Sequence, residues 1–357
     1  MDKKSKKFLY DYLNNTSPTG YESSGQKIWL NYVNPYIDEY FTDNYGTAVG
    51  VINPKSDYKV VIEAHADEIS WFINYITKEG YIYVIRNGGS DYQIAPSKKA
   101  LIHAKNGIVP AVFGWPAIHV RDQKSDPKMD VDTIVLDCGC ESDEEVKNLG
   151  IHVGCIVTFD EDLSELNQRY LVGRALDNRI GGFMIAETAR RLHEKKINLP
   201  FGLYITNAVQ EEVGLRGAEM IAARIKPDIA LVTDVCHDTQ SPHYNKIKQG
   251  DQMAGKGPVL TYAPAVHHHL LNMLIDVAEK NKIPFQRSAS SRITGTDTDA
   301  FAYSNGGVPS ALISLPLKYM HTTVEMAHFA DIENVIKLFL NFLKQLKPGQ
   351  EFKYLKH

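Results

Sequence analysis

Apolar side chains at the beginning of the chain recur at helical spacing. Within residues 8–13 they fall at i, i+1, i+4 and i+5, and the pattern returns within residues 28–37 after a Ser-Pro-Thr-Gly break. This periodicity predicts two helices, because such positions share one face of a helix. A short segment rich in β-branched residues, Tyr58 to Ala64, then predicts a strand that ends at His65.

The pattern changes between residues 70 and 165. Short runs of β-branched and aromatic residues, for example at 81–85, 111–114 and 134–136, are interrupted by glycine, proline and asparagine. Frequent turn residues between short strands are typical of a small all-β module. We therefore expect a separate β-rich unit in this part of the chain.

After residue 170, extended and helical patterns alternate. Helical spacing occurs at 180–192 and 215–225, extended runs occur at 201–209 and 229–234, and further strands and helices follow up to about Val335. The alternation predicts an α/β fold, a sheet flanked by helices. Because a helix and a strand also precede the β-rich segment, residues 1–68 and 166–357 are predicted to form one discontinuous α/β domain, with 69–165 inserted as a second domain.

The composition excludes several classes of protein. The 357 residues suffice for about two domains of roughly 150 residues, and 39 Lys and Arg against 43 Asp and Glu give a net charge of -4. That charge argues against a nucleic-acid partner. No apolar run reaches the roughly 18 residues of a membrane span, and the start, MDKKSKKFLYDYLNN, lacks the apolar stretch of a signal peptide. We expect a cytoplasmic protein without a membrane partner.

Cysteines and motif-like segments contribute little. Cys138, Cys140, Cys155 and Cys236 are irregularly spaced and are expected to be reduced thiols. The glycine-rich segment 250–257 has Gly257 where a phosphate loop needs Ser or Thr. The run 267–269 is three consecutive histidines, which point in different directions on a helix, so a helix start is the better interpretation.

Acids and histidines follow the predicted strands of the α/β part. They are His65 with Asp67 two residues on, Asp177, Glu211, Glu212, Asp234 and His321. Singly, each has an ordinary explanation, since an acid after a strand is a good helix N-cap and a lone histidine is usually structural. Jointly they meet at the carboxyl edge of the sheet, where α/β proteins build their sites. Buried acids in such numbers require cations.

The ligand types narrow the choice of metal. Imidazole and carboxylate without cysteine suit zinc, cobalt or manganese. Two histidines and three carboxylates fit two metals that share one bridging carboxylate, which leaves Glu211 as a base. Asp67 lies two residues after His65, a spacing at which its carboxylate can accept a hydrogen bond from the imidazole nitrogen that does not bind metal. The spacing alone leaves the reaction class open.

Six ordered motifs carry a resemblance that covers essentially the whole chain. The motifs are His-Ala-Asp-Glu-Ile at 65–69, Gly-Arg-Ala-Leu-Asp-Asn-Arg at 173–179, Gln-Glu-Glu-Val-Gly-Leu-Arg-Gly-Ala at 210–218, Thr-Asp-Val at 233–235, Gly-Thr-Asp at 295–297, and Tyr-Met-His at 319–321 with Val-Glu-Met at 324–326. Through these motifs the sequence resembles the tetrahedral-type glutamyl aminopeptidase family of dinuclear metallopeptidases, some of which are labelled endoglucanase or cellulase-like.

The resemblance implies a role for each candidate. One metal would be held by His65 and Asp234 and the other by Glu212 and His321, with Asp177 bridging both. Zinc and cobalt are the first candidates for these ions. Glu211 would be the general base that deprotonates a water shared by the metals, and Asp67, counted with the catalytic residues, would orient His65. The fold would be a phosphorylase/hydrolase-like metallopeptidase sheet with an inserted small β-barrel for oligomerisation and substrate access. The partners would be peptides and further copies of the chain in a tetrahedral dodecamer.

Some residues depart from the family pattern. Ser70, Lys318 and Thr322-Thr323 stand where relatives often have Gly, Arg and Ser-Pro, and none of them is a predicted ligand. Lys318 is either a substrate-binding cation for an acidic side chain or a solvated loop residue. The leading hypothesis is an aminopeptidase that releases amino-terminal residues. A deacylase or carboxypeptidase-like hydrolase on the same site, or a non-catalytic scaffold, are the alternatives.

Overall fold

The computed structural model describes residues 1–121 and 129–355. The described residues form two hydrophobic cores, one packed against a large sheet and one inside a barrel. In chain order the helices of the described residues are α1 (Lys3–Asn14), α2 (Ser23–Val33), α3 (Asp143–Asn148), α4 (Leu176–Glu194), α5 (Arg216–Ile225), α6 (Lys246–Gln249), α7 (His268–Lys280), α8 (Asp297–Ala302) and α9 (Phe329–Gln345).

The strands of the described residues divide between the sheet and the barrel. They are β1 (Glu39–Thr42), β2 (Ala48–Ile52), β3 (Lys59–His65), β4 (Ser70–Ile76), β5 (Ile82–Asn87), β6 (Lys99–Ala104), β7 (Gly107–Gly114), β8 (Val135–Asp137), β9 (Ile156–Phe159), β10 (Ser164–Leu166), β11 (Tyr170–Gly173), β12 (Gly202–Ala208), β13 (Ile229–His237), β14 (Val259–Tyr262), β15 (Gln286–Ala289), β16 (Ser310–Lys318) and β17 (Glu325–His328).

The large sheet has parallel strands at its centre. Its order is β1-β2-β12-β3-β13-β16-β17-β11-β10, with β14 and β15 attached beside β16. The four neighbours β12, β3, β13 and β16 run parallel to one another, whereas β2 and β17 are antiparallel to them. These four are buried along nearly their whole length, as expected of strands covered by helices on both faces.

Strands β4 to β9 close into an antiparallel barrel, in the order β4-β5-β8-β7-β6-β9. Trp71, Phe113 and Phe159 pack together in its core. The α/β sheet with a β-barrel between two of its segments confirms the predicted fold class. The exact domain boundaries stay a prediction.

Local details agree with several expectations. The histidine run begins α7, with His267 as its N-cap residue. In segment 250–257, the backbone N–H groups of Gly255 and Gly257 both donate to the carboxylate of Asp331, so a side chain occupies the donors that a phosphate would use. Along the described residues, no helix is both long and apolar enough to cross a membrane.

Candidate active site

Four neighbouring parallel strands deliver most of the candidate residues to one edge of the sheet. His65 is the last residue of β3, and Glu211 and Glu212 follow the end of β12. Asp234 lies in β13, and His321 follows β16 after a short turn. Because Ala208 pairs with His65, the carboxyl ends of β12 and β3 are level, and the turn after β12 reaches over β3. The edge predicted from the strand pattern is therefore the edge at which these side chains converge.

Asp177 reaches the same edge from the irregular first turn of α4. Ala175 has left-handed dihedral angles, and Asp177 and Asn178 depart from helical values. The side chain of Asn178 donates to the carbonyl oxygen of Thr233, one residue before Asp234, at 2.7 Å. This contact fixes the beginning of α4 against β13 and turns the Asp177 carboxylate toward the cluster.

The Asp177 carboxylate lies between the two histidines. Its Oδ1 is 3.3 Å from Nε2 of His65, and its Oδ2 is 3.2 Å from Nε2 of His321. Nε2 of His65 also lies 3.9 Å from Asp234, and Nε2 of His321 lies 3.6 Å from Glu212. Each histidine thus has its own carboxylate, and the two share Asp177.

Two groups of three residues have ligand atoms that all lie within 4.8 Å of one another. They are His65 with Asp177 and Glu212, and His65 with Glu211 and Asp234. Such groups are candidates to hold a cation, although exposed acids can cluster without one. Here Asp177, Asp234 and His65 are buried, which makes an uncompensated cluster costly.

Asp67 fixes the turn that carries the two glutamates. It is fully buried, and it accepts hydrogen bonds from Thr19 Oγ1 at 2.9 Å, from the Glu211 N–H at 3.0 Å and from the Glu212 N–H at 3.2 Å. Its Oδ1 also lies 3.4 Å from Nδ1 of His65. Asp67 therefore positions three neighbours and is placed to act through them.

Glu325 has a similar role, which sequence reasoning did not assign. Its Oε2 accepts from the N–H groups of Leu176 and Asp177 at 2.7 and 3.1 Å, and its Oε1 accepts from the N–H of His321 at 2.7 Å. It is buried and joins the segments of two candidate ligands. The Val-Glu-Met motif contained this residue, but the motif did not reveal its contacts.

Two further acids lie beneath the cluster. Glu63 in β3 and Asp297 at the start of α8 are both buried. Burial raises the pKa of Glu63 to about 8. Burial and the neighbouring Glu63 carboxyl raise the pKa of Asp297 well above its usual range. The two carboxyl groups can hold a proton between them. Asp297 belongs to the Gly-Thr-Asp motif, for which sequence analysis predicted no role.

The pKa shifts reflect an excess of negative charge. Burial, together with nearby acids such as Asp177, raises the pKa of Glu212 well above its usual range, that of Glu211 to about 10 and that of Asp234 to about 7. Burial also acts on Asp177, but its contacts with His321 and His65 hold its pKa below the usual range. Although burial opposes it, the surrounding carboxylates raise the pKa of His321 to about 10. The cluster favours bound positive charge.

The residues fit divalent cations. Nε2 of His65, the nitrogen that faces the cluster, and Oε1 of Glu212 are buried without a hydrogen-bond partner in the described part of the chain. Buried polar atoms without partners are costly, and a cation would satisfy them. Imidazole nitrogen and carboxylate oxygen are suitable ligands for zinc, cobalt and manganese.

A glycine pair from the barrel touches the cluster. Gly88 and Gly89 follow β5, and a Cβ atom added to Gly89 would lie 2.6 Å from Nδ1 of His321. A Cβ atom at Gly88 would lie 3.2 Å from Cβ of Glu212. The barrel can approach both side chains only because these positions lack side chains.

Lys318 ends β16, and its ammonium group lies 5.4 Å from the centre of the Tyr170 ring. It is not among the residues that line the cleft beside the cluster. The geometry does not place it against a substrate, and its substrate role stays a prediction.

Comparisons with known proteins agree with this architecture. A family model described as M42 glutamyl aminopeptidase matches residues 46–338. The chain is 33% identical to a lysyl aminopeptidase of Pyrococcus furiosus over 333 residues, which cover 92% of this chain and 94% of the relative.

Two solved structures share the fold. The TET aminopeptidase of Thaumarchaeota archaeon SCGC AB-539-E09 has a TM-score of 0.91 at 29% identity and covers 97% of this chain and 98% of its own. The TET1 peptidase of Pyrococcus horikoshii has a TM-score of 0.84 at 27% identity and covers 96% of this chain and 100% of its own. It is described as able to assemble into a tetrahedron or a large octahedral shell.

Proposed function

Because the chain belongs to the M42 glutamyl aminopeptidase family, we propose that it is a metal-dependent aminopeptidase that releases single residues from free amino termini of peptides. The observation that carries the metal dependence is the position of Asp177, with one carboxylate oxygen toward each of two histidines. A carboxylate between two imidazoles is the arrangement that a pair of cations requires of a bridging ligand.

The proposed ligands divide into two sets. His65 and Asp234 would hold one ion, Glu212 and His321 the other, and Asp177 would contact both. Zinc or cobalt suits this donor set best, and manganese is compatible with it. When bound, such ions supply Lewis acidity toward a carbonyl oxygen and lower the pKa of water.

Glu211 is the proposed general base. One of its carboxylate oxygens lies 3.8 Å from Nε2 of His65, and its side chain makes no hydrogen bond within the described residues. The carboxylate is therefore free to accept a proton from the attacking water and to deliver it to the leaving amine. Asp67 supports both steps indirectly, because it holds the Glu211 backbone and faces His65.

The site also provides a reason for action at the amino terminus. A free α-amino group can bind one of the proposed cations or a nearby acid, and an acylated one cannot. The second candidate, a deacylase or carboxypeptidase-like hydrolase, would use the same cluster on substrates without a free amine. The relatives differ in the residue that their names specify, lysyl or glutamyl, so the preferred residue is not transferred from them.

We also propose that the chain forms a homo-oligomer, and specifically a tetrahedral dodecamer. The support is the similarity to a TET1 peptidase that assembles into a tetrahedron. Light scattering coupled to size-exclusion chromatography tests this proposal. A particle of twelve times the mass of one chain is expected, and a monomer or dimer would contradict the proposal.

A peptide panel tests the activity. The zinc- or cobalt-loaded protein is given matched peptides with free and acetylated amino termini, next to the variants Glu211→Gln and Glu219→Gln, the latter on the exposed face of α5. We expect release of single residues from free termini only. Loss of the general base should reduce kcat by about 100-fold or more with metal content unchanged, whereas Glu219→Gln should match the wild type. Cleavage of acetylated peptides alone would select the deacylase instead.

A further inference from the structure

The cleft beside the cluster has a volume of about 430 Å³, and the described residues of its walls beyond the cluster are uncharged. Apart from the four cluster acids and the imidazoles of His237 and His321, every residue of 1–121 and 129–355 that lines it is neutral. Gln252, Thr261 and Ser288 supply amide and hydroxyl groups, and Leu312 and Met320 supply apolar surface. A side chain beyond the reacting bond would therefore meet a neutral wall.

Cations close in sequence do not reach this wall. Arg287 pairs with Glu279 at 3.6 Å, and Arg292 is exposed. Neither lines the cleft, and neither does Lys318, whose ammonium group lies over Tyr170. A glutamate side chain in this cleft would therefore be desolvated without a positive partner from the wall.

A lysine side chain is no better matched. The cluster acids are the negative charges that line the cleft, and two divalent cations would balance the charges of Asp177, Glu211, Glu212 and Asp234. Within the part of the chain that the structure describes, no wall residue then remains to neutralise an ammonium group. A buried charge without a partner is disfavoured in either sign.

Gln252 is a polar residue of the wall whose side chain is available to bind. It is 5% exposed, and its backbone is held by Thr239 through the Thr239 hydroxyl and the Thr239 N–H. Its side-chain amide makes no hydrogen bond within the described residues, although it lines the cleft. A Cβ atom on Gly250 would lie 2.4 Å from Nε2 of Gln252, so the glycine leaves the amide its place.

We infer that this enzyme prefers amino-terminal residues with uncharged side chains of medium length, and that Gln252 is a specificity-determining residue. The inference rests on the proposed aminopeptidase function. An amide offers one acceptor and two donors to a neutral polar side chain such as glutamine. Leu312 and Met320 provide the surface for methionine or leucine.

Isosteric substrate pairs test the preference. Peptides X-Ala-Ala are compared with X as glutamine against glutamate and as norleucine against lysine, by kcat/KM with the metal-loaded enzyme. We expect the neutral member of each pair to be favoured by about tenfold or more. Titration calorimetry of the same peptides with Glu211→Gln measures the preference as binding, independently of turnover. Preference for glutamate or lysine overturns the inference while the aminopeptidase function stands.

Substitutions test Gln252 itself. Gln252→Lys should lower the glutamine-to-glutamate ratio by about tenfold, and Gln252→Glu should raise relative turnover of the lysyl peptide. Gln252→Met keeps the length without a charge and should lower turnover of the glutaminyl peptide relative to the norleucyl one. Gln345→Lys, on the exposed side of α9, is the matched control and should leave all ratios unchanged. Unchanged ratios in folded Gln252 variants overturn the assignment of Gln252. Absence of any cleavage would contradict the proposed function first.

Discussion

Asp67 shows how one buried carboxylate can control several neighbours at the scale of a residue. It receives two backbone N–H groups and a hydroxyl, and it faces the imidazole of His65. A carboxylate can accept all of these bonds at once, because it has only acceptors. The equivalent amide cannot, since one of its two positions would present N–H groups to other donors.

The change Asp67→Asn therefore has a specific expected outcome. The turn before Glu211 and Glu212 should loosen, and His65 should lose its orienting partner. We expect metal affinity to fall by about 10–100-fold, with kcat reduced as well. Competition with a chelating dye measures the affinity. Asp160→Asn, at an exposed position, serves as the control, and equal affinities in the two variants would contradict the role of Asp67.

At the scale of elements, the barrel and the sheet meet at Gly88 and Gly89. The Cβ position of Gly89 is too close to the ring of His321 for any side chain, yet the Gly89 backbone is not in the left-handed region. A substitution there therefore acts through contact with His321 and not through backbone strain.

Gly89→Ala should displace His321 and weaken one of the two proposed ion sites. The metal content after dialysis should fall from about two ions per chain toward about one, because His65 and Asp234 are untouched. Mass spectrometry of the dissolved metal measures this. Gly114→Ala in β7 of the same barrel is the control, since its Cβ atom meets only Val135 O at 3.9 Å. Full metal content in Gly89→Ala would contradict the coupling.

The patterns of strands and helices in the sequence predicted the candidate ligands better than they predicted the residues that hold those ligands in place. The strands that end at His65 and shortly before Glu211 and His321 could be predicted because central parallel strands are rich in apolar, often β-branched residues. The hairpin β1–β2 was not predicted, because β1 is largely exposed and carries no apolar run. The contacts of Glu325 and of Gly89 join segments distant in sequence, and no local pattern encodes such contacts.

At the scale of the molecule, the cluster couples metal content to pH. Without cations, burial and the neighbouring acids raise the pKa of Glu211 to about 10 and that of Asp234 to about 7. The histidine pKa values are raised as well. A group whose pKa is higher in the folded than in the unfolded protein stabilises the fold fully when the pH is below its unfolded-state pKa. This contribution is lost as the pH rises through its folded-state pKa. The lowered pKa of Asp177 affects the pH dependence of stability only in more acidic solution.

The chelated protein should therefore lose stability between about pH 5 and about pH 9. Metal binding should oppose this loss, because deprotonated ligands bind cations more tightly as the pH rises. The difference in Tm between metal-loaded and chelated protein is expected to grow with pH, as measured by scanning fluorimetry in matched buffers. Asp234→Asn should reduce that growth, and a difference that stays constant with pH would contradict the coupling.

The order of the ligands along the chain has a consequence for biosynthesis. His65 emerges early from the ribosome, but β3, which carries it, lies in the sheet between β12 and β13, which are synthesised much later. His321 comes after both of those strands. A nascent or truncated chain that ends before β16 therefore lacks one of the proposed ligands as well as a sheet partner of β13. The proposed ligand set can therefore be complete only after β16 and the turn that carries His321 have been synthesised.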